Sequence, residues 1–481
     1  MTTDTSLTKN DPTFQELLQQ LAIVVSPERV SAADDVLDGR SHDTWPVATT
    51  WAKLGRHPHR PDLVVWAQSE AEVVAVLRLA SQAGVPVTPW ALGSSVTGQP
   101  LPLAGGVVLD VSGLTGDPEL DPVDGIVTAP AGVRGSDLEA WLGERGLTLR
   151  HSPQSLARSS IGGWVATRAT GQFSSRYGGI EELVVGYRVV LADGTTAEVG
   201  ESPRAAMGPS LKQLFIGSEG TLGVITQVSL KVFELPALEI REAFAFPDVV
   251  HALTAMRQGT QRGLRPHVMR LYDADEARHA APDAPVGQAV LFLGHEGISE
   301  VASAEHAAFK DLLVQASGVS LGSAPVDAWM GRRYDFSTVE NLLATPGGYA
   351  ETIEVANSWS RIEPMYRALR EALSPLADEV LGHFSHVYHD GVSLYVILLG
   401  RAIDDETALE RLEQIWIRAM EVVIAHGGEV SHHHGGGLAR APWARQSLGS
   451  GFELLERLKD ALDPQGLLNP GKLGLAAPAS V

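Results

Sequence analysis

Three glycine- and hydroxyl-rich loops, separated by strands and capped helices, constrain this chain more than any other feature. The first is Pro89-Trp90-Ala91-Leu92-Gly93-Ser94-Ser95-Val96-Thr97-Gly98. The second runs Ser159-Ser160-Ile161-Gly162-Gly163-Trp164-Val165-Ala166-Thr167-Arg168-Ala169-Thr170-Gly171 and continues to Tyr177-Gly178. The third is Gly217-Ser218-Glu219-Gly220-Thr221-Leu222-Gly223-Val224-Ile225. Glycine lets successive backbone N–H groups converge on one anion, and serine and threonine hydroxyls add short donors. One such loop is usually a turn. Three in the same half of a chain, interleaved with strands, imply an extended ligand with phosphates in its middle.

The text between the loops sets the architecture. Ser69 with Glu72, and Ser136 with Glu139, read as capping boxes that open helices ending at Gly84 and Gly146. Val85–Thr88, Val107–Val111 and Ile126–Ala129 read as strands, and Leu183–Leu191 with Thr195–Val199 as a hairpin turning at Asp193-Gly194. Capped helices alternating with strands predict an α+β fold. Residues 1–44 read as a polar lead-in with one amphipathic helix, Phe14–Ile23. Residues 45–236 carry the loops. Residues 237–430 carry ordinary amphipathic helices (Val301–Ser317, Glu406–Ala425) and strands (Ala289–Leu293, Ser393–Leu399), which predicts a second domain. Residues 431–481 return to glycine- and proline-rich text.

Charge narrows the partners. Asp and Glu number 58 against 37 Lys and Arg, a formal charge of -21. Such a surface repels phosphate backbones and anionic lipid, so neither nucleic acid nor a membrane surface is expected, and a small molecule is. Apolar runs are broken, as at Arg78 and Gly106, so no membrane span is expected. The polar Met1–Asp11 segment shows no secretory signal, and Ala476–Val481 is not a peroxisomal tripeptide. Cysteine is absent, which removes disulfides, thiolate nucleophiles and iron–sulfur clusters. A cytoplasmic location is expected.

Several motifs fail. No G-x-G-x-x-G follows a strand, and no G-x-S-x-G is present. Gly466–Lys472 has the spacing of a nucleotide-binding loop, but Leu473 stands where Ser or Thr must reach magnesium, so it reads as a turn.

The order and wording of the three loops resemble the FAD-binding domain of the vanillyl-alcohol oxidase or PCMH-type flavoproteins. Ile216–Val232 with Phe244-Ala245-Phe246-Pro247 is similar to the alkyldihydroxyacetonephosphate synthase branch, as is Gly428-Glu429-Val430-Ser431-His432-His433-His434-Gly435-Gly436-Gly437. Asp463-Pro464 and Leu468-Asn469-Pro470-Gly471-Lys472 resemble the superfamily's C-terminal turn. The likeness extends from about Trp45 onward and implies a two-subdomain PCMH-type FAD-binding domain plus a cap domain, whose antiparallel sheet is flanked by helices.

The resemblance also assigns roles. Pro89, Leu92, Gly93, Ser94, Ser95, Val96, Thr97 and Gly98 should cradle the FAD pyrophosphate. Pro153, Ser159, Ser160, Gly162, Gly163, Ala166, Thr167, Gly171 and Tyr177 should line flavin and adenosine. Glu219, Gly220, Gly223 and Ile225 should close over the adenine and ribose side. No histidine lies between Arg60 and His151, so non-covalent FAD is expected. His432, His433 and His434 should face the flavin and supply a general base, Tyr395 should position a substrate hydroxyl, and Arg270 should orient the substrate. Zinc-dependent 2-hydroxyacid dehydrogenases of the superfamily would place ligands at His386, Tyr395 and His433. Two of those ligands are exchanged here, so no metal is expected.

One departure concerns substrate. The synthases have an arginine–aspartate pair shortly before a Glu-Thr block. Here the block is Glu351-Thr352-Ile353-Glu354-Val355, and Glu340-Asn341 falls at the pair, where a glutamate would repel a phosphate. The expectation is an FAD-dependent oxidoreductase taking hydride from a CH–OH, or related C–H, of a small polar substrate. Oxygen or a carrier would be the acceptor, and a homodimer the assembly. The alternative is a transferase of the synthase type, exchanging acyl for alkyl through a flavin N5 adduct.

Overall fold

Ser69 caps its helix as its sequence implies. Its hydroxyl accepts from the Glu72 N–H at 3.3 Å, and Gly84 ends the helix Glu70–Ala83 in the left-handed conformation at φ 66°. In the computed structural model, which describes residues 12–200 and 203–477, Val73, Val76, Leu77 and Ala80 of this helix face a core shared with a four-stranded sheet. That sheet is ordered Val30–Ser31, Leu63–Trp66, Val107–Asp110, Val87–Trp90. Its last three strands run parallel. The helix expected over Phe14–Ile23 spans Pro12–Val25 and buries Phe14, Leu17, Leu21 and Val25 in the same core. The lead-in therefore supplies a helix and an edge strand to the first layer.

The second capping box does not form. The helix Gly135–Gly143 is preceded by Arg134 and has no side-chain cap, while Ser136 Oγ donates to Asp137 at 3.1 Å. Glu139 instead accepts from the Leu149 N–H at 2.9 Å and from the Thr148 hydroxyl, tying the following strand back onto the helix. This helix packs against a five-stranded antiparallel sheet ordered Glu119–Asp121, Ile126–Pro130, Val224–Lys231, Val184–Val190, Thr196–Gly200. Its last two strands are the expected hairpin, closing with Val190 opposite Thr196.

The second half builds a seven-stranded antiparallel sheet. Its order is Val319–Gly322, Leu238–Phe246, Ala289–Gly297, Val268–Tyr272, Glu379–Val387, Gly391–Arg401, Gly348–Ser358. Helices Val249–Gln261, Ser299–Gln315, Ile362–Leu373 and Asp405–Ala425 share one large apolar core with it. This is the PCMH-type FAD-binding fold with a cap containing an antiparallel sheet.

The C-terminal turn closes on the first loop. Leu468 bridges to Val87, Asn469 donates to the carbonyls of Gln99 (3.0 Å) and Glu219 (2.6 Å), and Lys472 Nζ donates to the Leu101 carbonyl at 2.5 Å. The lysine of the failed nucleotide motif thus holds the first loop from behind.

The two capping boxes give a paired test. Ser69→Ala should cost about 1 kcal/mol in urea unfolding, and Ser136→Ala less than about 0.5 kcal/mol, because only the first loses a cap. Equal losses would contradict the assignment.

Candidate active site

Register across the large sheet assembles a row of functional side chains. Tyr272 pairs with His383, His383 with Tyr395, and Tyr395 with Glu354, so four neighbouring strands point these residues to one face. Arg270 lies two residues before Tyr272 on that face. Its Nε donates to the Tyr272 hydroxyl at 2.9 Å, and a terminal nitrogen to His383 Nε2 at 2.7 Å. His386 joins by a different device. The ladder slips by one residue there, and His386 adopts φ 52°, a bulge that re-aims its ring at His433, 4.7 Å away between centroids. Its Nδ1 meets Ser174 Oγ at 2.7 Å.

The three consecutive histidines are wrapped around one carboxylate. Glu354 has no accessible side-chain surface, and it accepts the backbone N–H groups of His432 (2.8 Å), His433 (2.7 Å) and His434 (3.3 Å). Arg440 approaches Glu354 Oε2 at 3.2 Å and also donates to the carbonyls of Glu354, Val430 and Gly435. Burial works to raise the Glu354 carboxyl. The electrostatics of His433 and His434, the hydrogen bond from His433 and the charge of Arg440 outweigh it and hold the carboxyl well below its ordinary range.

That anion orders the protons around it. His433 Nδ1 lies 3.0 Å from Glu354 Oε1 and 2.7 Å from His432 Nδ1, so His433 carries its proton there. His433 Nε2 is then an acceptor, and the Tyr395 hydroxyl donates to it at 2.6 Å. Burial, and then Glu354, push the Tyr395 phenol well above its ordinary range, so it stays protonated. His432 meets the Tyr388 hydroxyl at 2.7 Å through Nε2. Burial pushes both His432 and His434 down to about 3, so both are neutral near pH 7. Glu354, His432 and His433 bring three ligand atoms within 4.8 Å of one another, but Arg440 and the three amides already occupy the carboxylate.

The histidine segment is also where the loops converge. The His434 carbonyl accepts from Thr97 Oγ1 (3.2 Å) and Gln99 Nε2 (2.5 Å). Glu219 of the third loop accepts from the N–H groups of Gly436 (2.6 Å) and Gly437 (2.8 Å). Several residues expected at the cofactor spend their side chains inside the protein instead. Thr167 bonds the Gly163 carbonyl, Tyr177 bonds Glu296 of the large sheet at 2.8 Å, and Ile225 packs in the core of the five-stranded sheet. Ser159 accepts from Trp164 Nε1, Ser160 caps the helix Ile161–Thr167, and the Gly98 N–H donates to Asp43 at 2.9 Å. A side chain at Gly171 would meet the Ser152 nitrogen at 2.4 Å, so this glycine allows a backbone crossing. These positions shape the loops. Pro153 is buried beside Ser152, whose hydroxyl meets Tyr334 at 2.7 Å.

Two sets of polar atoms fit FAD. The consecutive N–H groups of Leu92, Gly93, Ser94, Ser95 and Val96 have no acceptor among the described residues, the donor set a pyrophosphate requires. His151 is only 2% exposed, and neither ring nitrogen has a partner. It stands edge-on to Trp164 at 4.6 Å, and burial and then His433 push it down to about 3. Gln172 Oε1 and Arg333 Nε are likewise buried without partners, and Gln172 touches both the Ser152 carbonyl and the Arg333 carbonyl. These buried atoms without partners are the kind that the polar edges of a flat heterocycle would satisfy. Sequence reasoning gave no role to His151 or Glu354, and it reached His383 only as one residue of the histidine- and tyrosine-rich segment Gly382–Asp390 that could handle a proton.

The expected role of Glu340 is corrected. It sits on the helix Ser337–Ala344 with its side chain 52% exposed, paired with the equally open Arg158. It lies on the surface. The arginine of this segment that turns inward is Arg333, over the rings of Phe173 and Tyr334.

Fold and donor set together define a two-part flavoprotein that binds FAD. Residues 61–200 match the FAD binding domain family, and residues 235–473 match the FAD linked oxidases, C-terminal domain. The FAD-linked oxidoreductase YgcU of Escherichia coli (strain K12) is 30% identical over 486 residues, spanning 95% of this chain and 98% of that protein. An alkyldihydroxyacetonephosphate synthase of Dictyostelium discoideum is 27% identical over 456 residues, spanning 88% of this chain and 74% of that one. The structure of p-cresol methylhydroxylase superposes with TM-score 0.83 at 16% identity, over 97% of this chain and 98% of that chain. The chain belongs to the FAD-linked oxidase family.

Glu354→Ala would leave Arg440 buried without its anion and three amides without an acceptor. A loss of about 3–5 kcal/mol in denaturant unfolding is expected. A loss under about 1 kcal/mol would show that Glu354 does not hold the loop.

Proposed function

We propose that this enzyme oxidises a CH–OH group of a small polar substrate, with FAD as the immediate acceptor. The observation that supports this most directly is the chain of contacts Glu354–His433–Tyr395, with His433 Nε2 open to receive a proton and Glu354 behind it. Bound FAD supplies hydride acceptance, which these residues cannot. The substrate hydroxyl donates to the Tyr395 oxygen as Tyr395 passes its own proton to His433 Nε2. Glu354 then stabilises the imidazolium that forms. His432 and His434, neutral and held by Glu354 through their backbones, keep His433 in place and the surroundings uncharged.

Arg270 supports a substrate carrying a carboxylate or phosphate. Its two hydrogen bonds go to neutral groups, and among the described residues no carboxylate lies within ion-pair distance. A half-buried guanidinium whose hydrogen bonds go only to neutral groups is placed to receive an anion, and the substrate is the available source. Oxygen or a carrier would then reoxidise the flavin.

A second reading is acyl-to-alkyl exchange as in the synthases. It is favoured by the similarity to the Dictyostelium discoideum synthase and by the removal of Glu340 from the site, which ends the electrostatic objection to a phosphate. Anaerobic mixing with a panel of 2-hydroxy acids, alcohols and acyl-dihydroxyacetone phosphate separates the two readings. Lasting flavin bleaching by a hydroxy compound supports oxidation, whereas alkyl-ether product without net bleaching supports transfer.

Acid precipitation should release FAD into the supernatant; flavin left in the pellet would mean a covalent bond. His433→Ala should slow flavin reduction by roughly 10²- to 10⁴-fold with FAD content unchanged. Reduction within a few-fold of the unmodified rate would exclude His433 as the base.

A further inference from the structure

A second carboxylate–imidazole pair lies beside the proton-accepting one, and the chemistry above does not use it. His383 is 1% exposed, and its Nδ1 sits 2.9 and 2.8 Å from the two oxygens of Glu276. Its Nε2 lies 2.7 Å from a terminal nitrogen of Arg270, and its ring stacks on Tyr395 with centroids 4.5 Å apart and planes at 20°. We propose that Glu276 and His383 form a positioning pair that fixes the plane of Arg270, and leaves its charge uncancelled, to receive the anionic group of the substrate. The inference rests on the reading of Arg270 given above.

Donor counting carries the argument. A guanidinium can only donate, so His383 Nε2 must present a lone pair to it. A carboxylate can only accept, so Glu276 requires the proton on Nδ1. Together they admit one neutral tautomer. Burial, and then the charge of Arg270, push His383 down to about 4, in keeping with that tautomer. Glu276 is itself fixed. Its N–H donates to Asp273 at 2.8 Å, the cap of the helix Ala274–Ala280, and Asp273 is held in turn by the Tyr366 hydroxyl at 2.8 Å and by Arg370 at 2.5 Å.

The arrangement also explains why the carboxylate does not touch the arginine. A direct Glu–Arg pair would neutralise the guanidinium and compete with an anionic substrate. With an imidazole between them, the plane of Arg270 is set by two bonds, from Nε to Tyr272 and from one terminal nitrogen to His383. The other terminal nitrogen has no partner among the described residues, and one of its N–H groups, with the remaining N–H of the nitrogen bound to His383, forms the parallel fork that matches a carboxylate or phosphate edge.

The test uses the FAD-loaded protein, with oxalate and inorganic phosphate as separate probes read by flavin absorbance. Glu276→Leu should weaken binding of the preferred anion by roughly tenfold or more, the loss expected when a charge-assisted contact is misaligned. Glu276→Gln should stay within a few-fold, because its amide oxygen still accepts from Nδ1–H. An unaffected Glu276→Leu overturns the proposal, and so does a Glu276→Gln as weak as Glu276→Leu, since charge rather than position would then matter. A wild type that binds neither probe, or an Arg270→Met that binds as well, means instead that the reading of Arg270 has failed. The pair is judged separately by imidazole ¹⁵N chemical shifts of the unmodified protein at neutral pH, with His383 assigned by the signal lost in His383→Asn. The Nδ1–H tautomer is expected. An Nε2–H or doubly protonated ring overturns the proposal whether or not the leucine variant folds.

Discussion

The buried pairing of Glu354 with Arg440 is the interaction on which the rest of the site depends. A carboxylate without solvent contact is tolerated only where its lone pairs are filled and its charge is met. Glu354 satisfies both demands by recruiting three successive backbone N–H groups and a guanidinium. A segment of three histidines and three glycines has little apolar surface to pin it. Its conformation is set by this anion on one side, and by Glu219, Thr97 and Gln99 on the other. The phosphate-type loops and the histidine segment are therefore one hydrogen-bonded object. Binding at one should stiffen the other.

Neighbouring carboxyls show how finely that balance is set. Glu351, on the same strand, turns to the opposite face and accepts from Trp416 Nε1 at 2.8 Å. With no cation in contact, burial dominates and pushes it up to about 7. Asp43, beneath the first loop, is pushed up to about 6 for the same reason. Both folded values lie above the ordinary ones, so the folded chain holds protons that the unfolded chain releases. Their burden on stability is absent at low pH and grows as pH rises from the ordinary carboxyl range toward 6 and 7. Glu354 runs the other way: its contribution is present at neutral pH and fades only in strong acid. The protein thus keeps an ionised carboxylate where a guanidinium and three amides meet it and holds protonatable ones where burial dominates.

How much of this was legible in the sequence follows from range. Ser69 and Gly84 bound their helix through contacts a few residues apart, and the hairpin at Asp193-Gly194 is equally local, so both could be read. Ser136 misled because Glu139 found donors at Thr148 and Leu149, a contact across a turn that outcompeted the cap. The glycine loops announced phosphate binding by composition, but composition does not say that the side chains of Thr167, Tyr177 and Ile225 have partners within the protein. Of the row Tyr272, His383, Tyr395, Glu354, the resemblance pointed to Tyr395, but the row itself has no local signature. It exists only once four strands pair in one register, and a slip of one residue would turn each of these side chains to the helical face. His386 needed the reverse, an irregularity in that register. Glu340 failed for a related reason: no local pattern says which residue of a polar helix faces inward.

That correction changes what separates the two chemistries open to the site. Oxidation of a hydroxyl and exchange at an activated carbon both need one proton held and returned near the flavin, and in the proposed mechanism Glu354, His433 and Tyr395 would serve either. The discrimination must come from how the substrate is oriented and how much room it has. On one side stand Arg270 and Trp329, with the guanidinium 5.8 Å from the indole ring. On the other, Arg333 lies between Phe173 and Tyr334, and Tyr334 is tied to Ser152 beside the unpaired His151. Two guanidinium groups, each set over the face of an aromatic ring, offer anion contacts at this end of the site. On the proposed oxidation, these guanidinium groups would meet the anionic end of the substrate, and that is where a short anion and an acyl chain would be told apart.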